Sequence, residues 1–263
     1  MDSKDLILPK WSEYEPQALD YCSNANRQDL LCRFKLLQIY QNFCIARINC
    51  IFSNQNTNYG ELDPEGNNKG WLEKLFLQNA MIYYNFCIDL SWQMVYFYWI
   101  TKSDEKFNIT EEEIKKIEND ITLESLQELL KYQLSLKKEN SNLRRLLELI
   151  TEFWNNKLPD NFREDYNYIK HRGALDIFEN IREDSNLPIE FKGHQIDISI
   201  PKLKKLDLSQ YASMLKNFHQ LFYEYIEEII KIIIIPNLGT SKVTMKEFLE
   251  NIINNSTKEK GII

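Results

Sequence analysis

Seven glycines and seven prolines are all that 263 residues contain of the two strongest chain-breakers. That scarcity argues for long helices and few turns. Histidine is rarer still, with three residues so scattered that they make no zinc-ligand pattern. The five cysteines are odd in number, crowd the first third of the chain and form no CxxC pair, so buried reduced thiols in a cytosolic protein are expected. No excess of positive charge is present either. The formal net charge of −7 excludes a global field that would gather nucleic acid, and any such binding must come from a local or dimer-generated patch. The start, MDSKDLILPKW, has charged residues and Pro9 where an export signal needs an apolar core. The most apolar stretch, Trp71 to Ile100, is interrupted by polar side chains. Asp89 alone would cost about 2.5–3.5 kcal/mol near a bilayer centre, so a membrane span is not expected.

What the chain does have is apolar residues, 43% of the total, with 14 Tyr, 14 Phe and five Trp. That is ample for a buried core. Residues 26–52 carry apolar side chains at steps of three and four without Pro or Gly, which predicts a long amphipathic helix. A polar stretch with four glycines and prolines, 53–70, predicts a loop before a second, aromatic helix at 71–100. The two helices echo each other in YQNFCIARIN from Tyr40 and YYNFCIDLSW from Tyr83, as expected if both present Phe and Cys to one core.

Thr110 and Glu113 have capping-box spacing, and leucine-rich helices follow up to Asn156 and Pro159. DNFREDYNYIKHRG then reads as a compact helix with Asp160 as N-cap and Gly173 beyond its C-terminus. Alternation in LPIEFKGHQIDISIP predicts a small β-hairpin near 188–200. A long helix after Asp207 stops at Pro236, Thr244 and Glu247 open a last helix, and the tail 254–263 is expected to fray. With no Gly- or Ser-rich linker, the expectation is a single, mainly helical (all-α) domain over 1–263.

The chemistry-bearing residues gather in REDYNYIKHRG. With Arg163 at zero on a helix advancing about 100° per residue, Asn167 falls near 40°, Lys170 near −20° and His171 near 80°. All four share a face, Glu164 borders it beside His171, and Asp165 lies opposite. Arginine and lysine can hold a phosphate, asparagine can orient a hydroxyl, and histidine exchanges a proton near neutrality. Together they suit phosphoryl transfer on RNA, with the ribose 2′-OH as nucleophile, histidine as general base or acid, and no metal or cofactor. The bland reading is that Lys170, His171 and Arg172 are the cations a helix C-terminus prefers before a glycine.

This constellation, late in a chain that begins with two long helices, resembles the HEPN superfamily (higher eukaryotes and prokaryotes nucleotide-binding domains). The NYIKHRG string, Asn167 to Gly173, is similar to the N-x-x-K-H-x-G form of the motif in several bacterial branches. The resemblance implies an up-and-down helical bundle that dimerises to bring two motifs into one cleft. It further implies a cytoplasmic, metal-independent endoribonuclease of a toxin–antitoxin or defence system, with RNA as substrate, a second copy of the chain and an antitoxin protein as partners. Arg163 and His171 would be catalytic, and Asn167 and Lys170 would bind substrate. Seven residues separate Arg163 from His171 where the family usually has four to six, and acidic Glu164 follows the arginine. Those departures keep a second expectation open, a catalytically degenerate helical module that binds without cleaving. Three further positions bear on the outcome. Asn85 and Asp89, one turn apart, are expected to hydrogen-bond a neighbouring helix, with a raised carboxyl pKa at Asp89 as the functional alternative. His219 is expected in the core or at its boundary.

Overall fold

The computed structural model describes residues 5–15, 27–54, 58–65, 68–100, 110–136, 140–172, 186–191, 194–199 and 207–233. Among them run α1 (Arg27–Phe52), α2 (Lys69–Ile100), α3 (Glu111–Asp120), α4 (Leu123–Leu136), α5 (Ser141–Asn155), α6 (Lys157–Arg172) and α7 (Leu208–Ile233). The expected all-α character holds for the bulk of the described residues. Two strands, β1 (Asn186–Phe191) and β2 (His194–Ser199), pair antiparallel with Phe191 opposite His194, in the stretch where alternation predicts a hairpin. The last helix expected from Thr244, the tail 254–263 and Cys22 lie outside the described residues.

The helices begin where local hydrogen bonding favours it. Asn140 accepts from the Leu143 N–H at 3.0 Å to open α5, and Asp207 does the same for Gln210 at 3.0 Å in α7. Thr122 and Ser125 close a reciprocal pair at the start of α4. Between α1 and α2, Gly60 sits at φ +54°, a left-handed conformation that a side chain would strain.

The α6 boundary corrects the sequence expectation. The helix starts at Lys157, not after Asp160, because the Asn156 side chain accepts from the Leu158 N–H at 3.1 Å. Pro159 then falls in the first turn, where its missing N–H costs nothing.

Helices α1 and α2 pack antiparallel, as the contacts Cys32 to the Met94 carbonyl and Cys87 to the Ile39 carbonyl show. Helix α7 lies against both. Its Phe218 and Phe222 join Phe43 of α1, Tyr84 of α2, Phe153 of α5 and Phe162 of α6 in one aromatic core. All six side chains are buried. Small α3 is tied to this body by Glu118, which pairs with buried Lys35 of α1 at 2.5 Å. No disulfide joins the described cysteines, three of which are buried.

The echo between α1 and α2 is not a structural repeat. Phe43 is buried but Phe86 is 37% exposed, and Cys44 is half-buried where Cys87 is fully buried. Helix α2 buries two sides, against α1 and α7, so its core-facing phase differs from that of α1 and Phe86 is left at the surface.

At the other end of the chain, residues 5–15 lie across α1 and α7. Trp11 is buried against Phe43 and donates from Nε1 to Glu227 at 2.6 Å. Arg47 Nε donates to the Leu6 carbonyl at 2.8 Å, and Lys216 meets Asp5 at 2.7 Å. His219 Nε2 lies 2.9 Å from the Ile7 carbonyl. A carbonyl only accepts, so Nε2 carries the proton and Nδ1 receives the Tyr84 hydroxyl at 2.7 Å. Burial draws the His219 pKa down to about 4. His219 is therefore a neutral core residue, as its sequence neighbourhood implies.

Candidate functional site

Helix α6 packs against α2: Arg163 meets Asp89, and Tyr166, one turn later, meets Phe86. Phe162 anchors the helix, fully buried with its ring 4.3 Å from Phe218. Asn85 Nδ2 reaches across from α2 to the Phe162 carbonyl at 3.3 Å. Asp165 is buried on the far side, beside Tyr211, whose phenol is raised by burial first and by this carboxylate second. The sequence wheel places Asp165 there correctly.

The four candidate residues divide into two groups. Asn167, Lys170 and His171 are exposed along the last turns of α6. Arg163 is half-buried and turned onto α2, its Nη1 2.8 Å from Asp89 Oδ1. Its guanidinium carbon lies 5.7 Å from the centre of the Trp92 ring and 5.7 Å from that of Tyr166, so the cation is held between two aromatic groups. Arg163 and His171 are eight positions apart, about 12 Å along the axis at 1.5 Å per residue.

Asp89 is the residue whose role spacing alone does not reveal. Burial raises its carboxyl pKa, and Arg163, then Lys170, oppose the rise. Asp89 thus lies within electrostatic reach of two cations seven residues apart on α6. Both sequence alternatives for the Asn85–Asp89 pair hold together, since each residue contacts α6 and the carboxyl is also shifted. The available signal is an acid inside an otherwise aromatic helix, facing a segment with cations at two-turn spacing.

Among the described residues no group of His, Cys, Asp and Glu could hold a metal ion. No described helix is long and apolar enough to cross a membrane. Comparison with known proteins finds no family model, no curated protein and no solved structure that matches this chain.

Proposed function

We propose that this chain is a HEPN-like helical protein that acts on RNA through the exposed face of α6. The observation that supports the reading is the presentation of Asn167, Lys170 and His171 together at the surface, next to a guanidinium already fixed in place. In this reading Lys170 neutralises a backbone phosphate and Asn167 orients the ribose. His171 takes the proton of the 2′-OH, whose oxygen bonds to the adjacent phosphorus to close a 2′,3′-cyclic phosphate as the P–O5′ bond breaks, and the departing 5′-oxygen takes a proton from water. Two cytosolic copies, pairing their α6 faces, would supply the second set of groups, and an antitoxin protein would cover the same face.

One observation favours the non-cleaving alternative. Asp89 occupies Arg163, and the 12 Å axial separation from His171 keeps the two from one phosphate within a single copy unless the arginine swings free. On that view α6 binds RNA and leaves it intact.

The deciding experiment incubates a mixed, end-labelled RNA pool with purified protein in excess chelator, beside His171→Ala. Cleavage by the wild type alone, leaving 2′,3′-cyclic phosphate ends, is the outcome for the nuclease. Retention of intact RNA by both proteins, weakened by Lys170→Ala, is the outcome for the binding module. Absence of both cleavage and retention would refute the RNA reading.

A further inference from the structure

Beside the candidate site lies a row of rings that the cleavage scheme does not use. Tyr83 and Phe86 of α2 meet edge-to-face with centroids 5.8 Å apart, and Phe86 meets Tyr166 of α6 edge-to-face at 6.3 Å. The Arg163 guanidinium follows Tyr166 at 5.7 Å. Phe86 is 37% exposed in the middle of a helix that buries most of its other large side chains. Neither of its ring contacts among the described residues is face-to-face, so no described ring stacks flat upon it.

The surroundings specify the chemistry of an occupant. Lys170 stands one turn beyond Tyr166 on α6, and Arg163 stands one turn before it, so cations flank the rings. Asp89 already neutralises Arg163, which leaves Lys170 as the net cation, and exposed Glu164 points about 160° around α6 from Tyr166. An exposed π-surface beside a net cation fits an unpaired nucleobase with its adjoining phosphate. A base in a duplex keeps its faces covered by its neighbours and could not stack there.

We propose that Phe86, flanked by Tyr83 and Tyr166, is a stacking platform for an unpaired base, and that Lys170 takes the neighbouring phosphate. The proposal rests on the RNA reading of α6 and deepens it, defining the ligand as single-stranded.

The test is fluorescence anisotropy with a labelled mixed-sequence oligoribonucleotide of about ten nucleotides, free and annealed to its complement. Wild type is compared with Phe86→Leu, which keeps an apolar side chain and removes the π-face, with Phe86→Trp, which restores it, and with Lys170→Ala. The expected result is tighter binding of the single strand than of the duplex. Phe86→Leu weakens single-strand binding about 5- to 100-fold, and Phe86→Trp retains it, with its indole emission quenched on binding. If Phe86→Leu binds as wild type does while Lys170→Ala weakens binding, the platform is refuted and the α6 reading stands. If Phe86→Leu weakens binding and Lys170→Ala does not, the platform stands and the cationic face falls. Failure of the wild type to bind either form refutes both.

Discussion

Acidification should unfold this protein partly through His219, and the contribution can be worked from its surroundings. The ring is 1% exposed, lies 4.2 Å from Phe43, and is satisfied on both nitrogens as the neutral tautomer. Its pKa falls from 6.5 to about 4, chiefly through burial, and Arg47 adds to the depression. The unfolded chain therefore binds more protons than the folded one between these two values, and stability rises with pH across that window. Stability linked to His219 is complete above pH 6.5 and is lost as pH falls to about 4. The full shift is worth about 3 kcal/mol, of which about 2 kcal/mol is already gone at pH 5. Urea titrations at pH 7, 6, 5 and 4.5 on wild type and His219→Phe isolate the effect. The variant keeps an aromatic ring against Phe43 and loses the titration. Carboxylates such as Asp89, and the Asp5–Lys216 pair nearby, contribute to both proteins and cancel in the difference. His219→Phe should be the less stable protein at pH 7, because it leaves the Ile7 carbonyl and the Tyr84 hydroxyl without their partner, and the gap should narrow towards pH 4.5. Parallel curves across the whole range would refute the buried, neutral histidine.

Two more predictions concern the seat of the candidate site. Phe162→Ala, which removes the ring stacked on Phe218, should cost about 3–5 kcal/mol in urea unfolding, and a loss under 1 kcal/mol would mean that α6 is not anchored there. Arg163→Ala removes the stronger of the two cationic influences on Asp89 and should raise that carboxyl pKa further, read by carbon NMR titration; an unchanged value would show that the ion pair does not form in solution.

How much could be read beforehand depended on the range of the interactions involved. The start of α7 was legible because Asp207 acts on an N–H group three residues away. The start of α6 was misread because Pro159 looks like a terminator, although a first turn accepts it. Phe86 was misplaced because its local sequence matches that around Phe43, and only the neighbours on either side of α2 decide which phase is buried. Within the site, the exposure of Lys170 and His171 followed from a cationic last turn. The pairing of Arg163 with Asp89 spans 74 positions and leaves no local trace beyond the oddity of an acid among aromatic residues.

The segment 5–15 has a bearing on the order of events during synthesis. Its partners Glu227, His219 and Lys216 lie 216, 212 and 211 positions further along the chain. On the ribosome residues 5–15 must wait until Glu227 has been translated before Trp11 can gain its hydrogen-bond partner. Until α7 emerges, Phe43 lacks the Phe222 ring that covers it. Completion of the core is thereby coupled to completion of α7, and a nascent chain stalled before that helix would be a natural client for chaperones.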